Sequence, residues 1–313
     1  MTELSKPTKE MIYRATVDAP VVPARLAVYE VRTADMERLV HYYEDSLGLV
    51  TTERSESAAY LTTAGDHHCV VISAGEPNAR ARLGFEVSGS LDDTQQRLRA
   101  AGISAQRRTD PEPGVAADLV ITEYGTGVPL TLCERQVPSG TPAVISGRPS
   151  KLGHVASYVT DLAGSQRFYL EVMGFRFSDM IGDFFTFLRC NADHHAINLM
   201  QSQKKSGLFH VAFEMRDMLH LKDQLDLLST RGHALIWGPG RHGVGHNIFT
   251  YHRDPDGNIV ELFTEIDLIF DEESEHFEPR PWHEEWPQRP KVWPLDPGAA
   301  NKWGIINPDM MDH

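Results

Sequence analysis

The chain has few cysteines, no long apolar run and no excess of basic charge. Its three cysteines, Cys69, Cys133 and Cys190, are widely separated and form no CxxC pair, which argues against a disulfide framework and a thiolate zinc site. No stretch approaches the roughly 18 apolar residues of a membrane span, and residues 1–22 form a polar leader without a signal-peptide core. We therefore expect a cytoplasmic protein with no membrane partner.

The charge balance argues against another class of partner. Acidic residues outnumber basic ones by 44 to 30, which gives a formal net charge of -14, whereas a nucleic-acid-binding surface needs a basic patch. The apolar content of 41% is ordinary for a globular protein, and 313 residues suffice for two domains of about 150 residues each. Acidity also favours solubility, and on its own it identifies no substrate.

Two segments of the chain share one pattern. The sequence RLAVYEVRTADMERLVHYYEDSLGLV, from Arg25, aligns without a gap with KLGHVASYVTDLAGSQRFYLEVMGFR, from Lys151, and this alignment places Asp35 on Asp161. Each copy predicts a short strand, an Asp at the start of an amphipathic helix, and a Gly at the end of that helix. The repetition predicts two copies of one structural module, one in each half of the chain.

A second pattern repeats within each half. RLGFEV, from Arg82, and LFHVAFEM, from Leu208, are each followed by a helix pattern and then by a strand pair. The sequence therefore predicts an α+β fold of four βαβββ modules, paired into two domains and followed by an irregular tail. The predicted boundaries are a polar leader at 1–22, an N-terminal domain at 23–136, a linker at 137–150, a C-terminal domain at 151–266 and a tail or lid at 267–313.

The stretch from Trp237 to Glu265 contains a reverse turn, Asp-Pro-Asp-Gly-Asn at 254–258, between two predicted strands at 249–252 and 259–263. The second strand carries Glu261 in its middle. A carboxylate buried in a strand is costly unless a metal ion or a basic side chain neutralises it. Taken alone, this residue leaves a salt bridge, a metal or an exposed strand face open.

Two histidines in short apolar strands, His154 and His210, favour the metal. Two neutral imidazoles and one carboxylate on adjacent strands can occupy one face of an ion and leave the other face open, as in non-haem Fe(II) oxygen chemistry. Mn(II) and Zn(II) are compatible with the same donors. The corresponding positions of the N-terminal half hold no such set, and the predicted site is therefore confined to the C-terminal half. Those positions are Val28, about Arg82, and Thr131.

Further candidates surround this set in sequence. Residues able to transfer protons or to carry charge beside a metal are His194, His195, His242, His246 and Tyr251. A small-molecule substrate is expected to bind in an apolar pocket. Candidates for its lining are Phe185, Phe187, Trp237, Ile248 and Phe249.

The segments Gly240-Arg241-His242, Tyr251-His-Arg-Asp-Pro-Asp-Gly257 and Glu261 resemble the signature of the type I extradiol ring-cleaving dioxygenases, such as the catechol and homoprotocatechuate 2,3-dioxygenases. These enzymes belong to the vicinal oxygen chelate superfamily. The resemblance extends over the four-module layout from Arg25 to Glu265. Thr250 departs from it, because a large aliphatic residue usually precedes the Tyr.

The resemblance implies roles for individual residues. His154, His210 and Glu261 would bind the metal, with Fe(II) expected and Mn(II) possible. His195 would act as the acid-base residue beside the O₂ position. His242 and Tyr251 would hydrogen-bond the catecholic substrate.

The implied reaction is extradiol (meta) ring cleavage by O₂ at a mononuclear non-haem metal, in aromatic compound degradation. The expected product is of the 2-hydroxymuconic semialdehyde type. Trp237 stands where homoprotocatechuate enzymes carry an Arg for a substrate carboxylate, which argues against an acidic substrate. Expected substrate-binding residues are His246, Phe187, Trp237 and Ile248.

Two other functions remain open at this point. A glyoxalase- or epimerase-like enzyme would use the metal as a Lewis acid without O₂, because one scaffold hosts several chemistries. A ligand-sequestering protein of the bleomycin-resistance type would need no metal at all. Consumption of O₂ separates the first from a dioxygenase, and metal analysis separates the second.

The tail is rich in Pro, Trp, Glu and Asp and has little periodicity. Its four tryptophans, Trp282, Trp286, Trp293 and Trp303, are expected to pack against the catalytic domain as a lid or against a neighbouring subunit. Such a tail on an acidic two-domain subunit is compatible with a homodimer or homotetramer.

Overall fold

The computed structural model describes residues 18–140, 147–271, 276–277 and 290–306. The first half forms an eight-stranded sheet with the strand order β2-β3-β4-β1-β5-β8-β7-β6. Its elements, in chain order, are β1 (Pro23–Thr33), α1 (Met36–Asp45), β2 (Val50–Arg54), β3 (Ala58–Thr62), β4 (Val70–Ala74), β5 (Asn78–Val87), α2 (Leu91–Ala100), β6 (Gln106–Glu112), β7 (Val115–Thr122) and β8 (Pro129–Cys133).

The second half repeats this plan. Its elements are β9 (Lys151–Val159), α3 (Leu162–Arg167, continued by a wider turn over Phe168–Val172), β10 (Arg176–Ile181), β11 (Phe185–Arg189), β12 (Ile197–Gln201), β13 (Gly207–Glu214), α4 (Met218–Thr230), β14 (Leu235–Arg241), β15 (Ile248–Arg253) and β16 (Ile259–Thr264). The tail adds β17 (Ile269–Asp271), β18 (His276–Phe277), β19 (Lys291–Trp293) and α5 (Pro297–Ala300).

The two sheets have the same strand order. The second runs β14-β15-β16-β13-β9-β12-β11-β10, and only the tail strand β19 at its edge has no counterpart in the first sheet. In each half, a strand, a helix and three further strands occur twice in succession. The predicted α+β fold of repeated βαβββ modules is confirmed.

The aspartates predicted to begin the two equivalent helices cap those helices in the structure. The Asp35 carboxylate accepts the backbone N–H of Arg38 at 3.1 Å, and the Asp161 carboxylate accepts that of Gly164 at 2.9 Å. Each thereby satisfies an amide group that has no partner within its own helix. After the first helix of the second half, Gly174 adopts a φ of +70°, a conformation that glycine reaches without strain.

One hydrophobic core extends through both halves. The Tyr43 ring lies 6.1 Å from that of Phe213, and the Phe85 ring lies 5.7 Å from that of Phe175, so rings of the first half contact rings of the second. Edge contacts at these distances are favourable beyond the burial of area alone. The halves are therefore held together by packing as well as by the chain between them.

The predicted hairpin is present, with β15 antiparallel to β16 and Tyr251 opposite Glu261. Its turn is stabilised by the Asp254 carboxylate, which accepts the backbone N–H groups of Asp256 at 2.9 Å and of Asn258 at 2.8 Å. Gly257 supplies the positive φ, at +86°. The turn thus sets the register that places Glu261 beside its neighbours.

The tail runs along the edge of the second sheet, where β19 pairs in parallel with β10. Trp293 is partly buried there, but Trp303 is 54% exposed, which does not match the expected packing of all four tail tryptophans. Trp282 and Trp286 lie outside the described residues, as do residues 1–17 of the predicted leader and 141–146 of the predicted linker. Within the described part of the chain, no helix is long and apolar enough to cross a membrane.

Candidate metal centre

His154, His210 and Glu261 converge because of strand register. The strands that carry them are neighbours, in the order β16-β13-β9. Ala212 on the central strand pairs with Glu261 on one side and with His154 on the other, and His210 lies two residues before Ala212. Residues two apart on a strand share a face, so all three side chains project from the same side of the sheet.

The three donor atoms form a compact triangle. His154 Nε2 lies 3.2 Å from His210 Nε2 and 3.1 Å from Glu261 Oε2, and His210 Nε2 lies 3.0 Å from the same oxygen. Ligands about 2.1 Å from one ion and about 90° apart are separated by about 3 Å. The residues therefore fit a single metal ion bound on one face by two imidazoles and a carboxylate.

The protonation states also suit a cation. Burial alone would raise the pKa of the Glu261 carboxyl, but His154 and His210 hold that pKa well below its usual value. Burial lowers the pKa of the His210 imidazole, which keeps the ring neutral near pH 7. An ionised carboxylate and neutral imidazoles with free lone pairs are the forms that bind a divalent ion.

Neighbouring polar groups hold this set in place. Asn247 donates from Nδ2 to Glu261 Oε1 at 3.0 Å, which orients the carboxylate from its other oxygen. His242 Nδ1 lies 2.6 Å from the Ala300 carbonyl, and His242 Nε2 lies 3.1 Å from the Tyr251 hydroxyl. Because a carbonyl only accepts, His242 carries its proton on Nδ1, and the Tyr251 hydroxyl donates to Nε2.

Burial makes both members of the His242–Tyr251 pair hard to charge. It lowers the pKa of the His242 imidazole to about 4 and raises the pKa of the Tyr251 hydroxyl well above 10. Both groups are therefore neutral at physiological pH. They place the Tyr251 hydroxyl and the His242 ring beside the metal position.

His195 lies on the other side of the ligand set. Its ring centre is 4.3 Å from that of His154, and its Nδ1 is 2.9 Å from Nδ1 of His194. Burial and the adjacent histidines lower the pKa of the His195 imidazole well below 6.5. The ring is therefore neutral and able to accept a proton.

An apolar cavity of about 230 Å³ opens onto the three ligands. Beside the ligands and His195, His242 and Tyr251, it is lined by strand residues and by the tail. The lining residues from the strands and their loops are Ile181, Phe184, Phe185, Phe187, Asn198, Met200, Phe209, Trp237 and Val244, and those from the tail are Leu295, Asp296, Pro297, Ala299, Ala300 and Ile306.

The structure places two predicted substrate-binding residues elsewhere. Ile248 is 2% exposed and belongs to the main hydrophobic core, on the face of β15 opposite to Tyr251. His246 Nδ1 is 2.7 Å from the Asp267 carboxylate and does not line the cavity. Phe249 stacks on His242 at 3.8 Å, behind the cavity wall. Phe187 and Trp237 are in the lining.

Sequence reasoning missed several residues of the site. Asn247 carries no recognisable motif, and the tail residues of the lining lie far along the chain. One missed signal was present: the triplet Asp-His-His occurs at 66–68 as well as at 193–195. The structure places the two copies at corresponding points, immediately before β4 and β12.

The N-terminal half carries an ion-pair network where the C-terminal half has its ligands. Arg82 corresponds to His210 in strand register; its guanidinium pairs with Glu30 at 2.7 Å and with Glu112 at 2.6 Å. Thr131 corresponds to Glu261 and lies 3.2 Å from Arg82 Nη1. In this half, the Arg82 guanidinium therefore carries the positive charge at the place that corresponds to the metal position of the other half.

We expect Arg82→Met to lower the free energy of unfolding by about 3–5 kcal/mol, because two largely buried carboxylates lose their partner. Burial opposes ionisation of Glu112, but His68 and Arg82 lower its carboxyl pKa from 4.5 to about 2. This stabilisation is therefore present above pH 4.5 and lost as the pH falls towards 2. Denaturant unfolding as a function of pH measures both effects.

The matched control is Arg107→Met, because the Arg107–Asp92 pair is exposed. Such surface pairs contribute about 0–1 kcal/mol. Equal losses for the two variants would contradict the account of the buried network. Metal content is expected to be unchanged in both variants.

Comparison with known proteins places this architecture in a family. The sequence model of the Glyoxalase/Bleomycin resistance protein/Dioxygenase superfamily matches residues 25–123 and 151–262, which are more than half of the chain. Metapyrocatechase 2 of Cupriavidus necator is 26% identical over 284 residues, covering 80% of this chain and 85% of that protein.

Two further relatives are named for their metals. The manganese-dependent 2,3-dihydroxybiphenyl 1,2-dioxygenase of Geobacillus genomosp. 3 is 22% identical and covers 83% of this chain and 90% of its own. The iron-dependent extradiol dioxygenase of Rhodococcus jostii is 25% identical, with 79% and 91% covered.

Solved structures share the fold. Homoprotocatechuate 2,3-dioxygenase from Arthrobacter globiformis superposes with a TM-score of 0.80 at 23% identity, covering 95% of this chain and 94% of that one. The Mn(II)-bound glyoxalase from Novosphingobium aromaticivorans gives a TM-score of 0.81 at 23% identity, with 94% and 95% covered. Because the sequence model matches both halves of the chain, the chain belongs to the Glyoxalase/Bleomycin resistance protein/Dioxygenase superfamily.

Proposed function

We propose that this protein is an extradiol dioxygenase that opens a catecholic ring with O₂ at one non-haem metal ion in aromatic compound degradation. The observation that carries the proposal is the triangle of His154, His210 and Glu261 at the end of an apolar cavity whose other polar groups are suited to proton transfer. The relatives named as metapyrocatechase and as iron- or manganese-dependent extradiol dioxygenases support it.

Fe(II) is the metal we propose, with Mn(II) as the alternative, since both are compatible with two imidazoles and a carboxylate. When bound, it would acidify the hydroxyls of a coordinated catechol and bring the ring and O₂ together. The remaining steps depend on side chains of this chain.

Tyr251 and His242 would bind and orient the catechol. The Tyr251 hydroxyl donates to His242 Nε2, so its oxygen is free to accept a hydrogen bond from a substrate hydroxyl. Because burial keeps both Tyr251 and His242 neutral, the pair acts by hydrogen bonding and not by taking up a charge. Alignment of the ring in one pose is the larger contribution of such a pair.

His195 would move a second proton. Its ring is neutral and lies beside His154 on the cavity wall, where it can take a proton from a substrate hydroxyl and later return it to an oxygen atom of the ring-opened product. The apolar lining keeps bulk water away from these groups, which strengthens their hydrogen bonds.

We further propose that the substrate carries an uncharged, apolar ring substituent. A cavity of about 150 Å³ holds a benzene molecule, so about 230 Å³ leaves room for a catechol with a modest substituent. Among the described residues that line it there is no Lys or Arg, and both acidic members, Glu261 and Asp296, would repel a substrate carboxylate.

We expect kcat/KM for 4-ethylcatechol to exceed that for 3,4-dihydroxyphenylacetate by at least about 100-fold, since an unpaired buried carboxylate costs about 3 kcal/mol or more. Trp237→Arg should narrow this ratio by supplying a cation, whereas Trp237→Phe should leave it nearly unchanged. Steady-state rates with the two catechols provide the test. A wild-type preference for the acidic catechol would contradict the proposed substrate class.

Turnover of a catechol panel in air and under nitrogen tests the activity itself. We expect a yellow ring-opened product and O₂ uptake in air, and neither under nitrogen. A glyoxalase-like enzyme is the second candidate, because the fold matches that of a Mn(II)-bound glyoxalase. Catechol conversion without O₂ would favour it, and the lack of any bound metal would favour a ligand-sequestering protein.

We propose that residues 23–136 form a non-catalytic domain and 151–266 the catalytic domain, with a linker at 137–150 and a tail or lid at 267–313. We also propose a homo-oligomer, a dimer or tetramer, supported by large apolar side chains exposed at Leu219 and Phe270. Light scattering that gives one 35.1 kDa chain would contradict it. The buried free cysteines suit the cytoplasmic location that we propose.

A further inference from the structure

A row of buried hydrogen-bonding groups runs from the tail to His195. Asp179, on β10, has Oδ2 3.1 Å from His194 Nε2, and His194 Nδ1 lies 2.9 Å from His195 Nδ1. All three residues are at most 3% exposed. Neither His194 nor Asp179 lines the cavity, so neither has a part in the chemistry proposed above.

The hydrogen bonds of this row determine which ring nitrogen of His194 and of His195 carries a proton. A carboxylate only accepts, so His194 carries its proton on Nε2 and donates to Asp179. In this tautomer His194 Nδ1 is an acceptor, so the hydrogen in the 2.9 Å contact comes from His195 Nδ1. Nε2 of His195 is therefore the unprotonated nitrogen, able to accept a proton in the cavity that the residue lines.

The tail holds the far end of this row. The backbone N–H of Lys291 donates to Asp179 Oδ1 at 2.9 Å, and the Trp293 indole Nε1 donates to Asp179 Oδ2 at 3.0 Å. Both donors belong to β19, which pairs with β10 at Asp179. The same tail then continues into Leu295 and the other residues that cover the cavity.

We propose that Asp179 and His194 are positioning residues that hold His195 in its Nδ1-protonated form, with Asp179 itself held by the two donors of β19. The proposal rests on the role of His195 in the proposed dioxygenase reaction. Its tautomer component can be measured without any turnover.

The N-terminal half contains a reduced copy of the same row. His67 Nδ1 lies 3.1 Å from His68 Nδ1, but Glu53, in the position of Asp179, is 3.8 Å from His67 and its side chain is 55% exposed. Both halves therefore contain the pair of histidines. In the described part of the chain, the buried carboxylate and the tail strand accompany the C-terminal pair alone. This copy provides matched control variants.

The test replaces Asp179 by Asn and follows the histidines by NMR in protein labelled with ¹⁵N-histidine and loaded with diamagnetic Zn(II). Asn can donate to His194 Nε2, which moves the His194 proton to Nδ1 and forces His195 Nδ1 to accept. We therefore expect His195 to be protonated at Nδ1 in the wild type and at Nε2 in the variant, with its signals assigned by comparison with His195→Phe.

Turnover gives the second readout. Loss of an outer hydrogen-bond partner costs about 10–100-fold, and we expect kcat of Asp179→Asn to fall by that factor with KM nearly unchanged. His194→Phe should lower kcat similarly while leaving Asp179 bound to the tail. The controls Glu53→Gln and His67→Phe should leave kcat at the wild-type value.

Three results would overturn the proposal: a wild-type His195 protonated at Nε2, an unchanged tautomer in Asp179→Asn, or an equal loss of kcat in the N-terminal controls. If the wild type failed to cleave catechols, the proposed reaction would fail, while the NMR result would still decide whether the row sets the tautomer.

Discussion

Glu261→Gln is expected to lower metal affinity by more than about 100-fold and to abolish ring cleavage at ordinary metal concentrations. Glutamine keeps the size of the side chain but removes the only carboxylate from a set whose other members, His154 and His210, are imidazoles. Hydrogen-bond partners of ligands are already worth about 10–100-fold, so a ligand itself should contribute more. Elemental analysis after anaerobic purification measures the loss.

The matched control for this variant is Thr131→Val, at the corresponding position of the N-terminal half. It removes a hydroxyl beside Arg82 and should leave one metal per chain and full activity. Circular dichroism should show that both variants are folded. A Glu261→Gln protein that retained a full metal complement would remove Glu261 from the ligand set.

His195→Phe is expected to retain the metal and to lower kcat by about 10²–10⁴-fold, the usual contribution of a positioned acid-base group. Phenylalanine preserves the ring packing against Phe187 and His154, whose ring centres lie 5.3 Å and 4.3 Å away, but can neither accept nor donate a proton. Metal analysis and steady-state kinetics on the same preparation measure the two effects.

His68 offers the control, because it is the second histidine of the Asp-His-His triplet in the N-terminal half. It is fully buried beside Glu112, and the described residues of that half contain no comparable group of metal ligands. His68→Phe should therefore leave kcat intact while reducing stability. Full turnover by His195→Phe would remove that residue from the mechanism.

The module repeat and the ligand set were predictable from sequence because local signals mark both. Asp35 and Asp161 begin equivalent helices, and the turn at 254–258 sets the register of Glu261 on β16. Since strand register is transmitted across neighbouring strands, residues aligned in the repeat also meet in space. The sequence aligned Arg82 only approximately with His210. In the first sheet, Arg82 lies at the position that His210 has in the second sheet.

The prediction that Ile248 lines the cavity conflicts with the alternation of side chains along β15. Side chains alternate along a strand, so a cavity-facing Tyr251 puts Phe249 on its own face and Ile248 on the other. Phe249 is in fact close to the site, stacked on His242, and Ile248 is in the core.

The row from Asp179 to His195 and the cover of the cavity were beyond sequence reasoning. Asp179 lies within a strand with no motif around it, and its donors come from β19, far along the chain. The tail has no periodicity that predicts where it docks. Such contacts depend on tertiary packing, which single-sequence patterns do not encode.

Isotope and mass balance with ¹⁸O₂ test the central claim most directly. Protein with one Fe(II) per chain would be mixed with 4-ethylcatechol in ¹⁸O₂, quenched within the first turnovers, and its product analysed by mass spectrometry. The account predicts one O₂ consumed per catechol and both ¹⁸O atoms in a ring-opened product. An intact ring oxidised to a quinone, or a product formed without ¹⁸O, would contradict extradiol cleavage at this site.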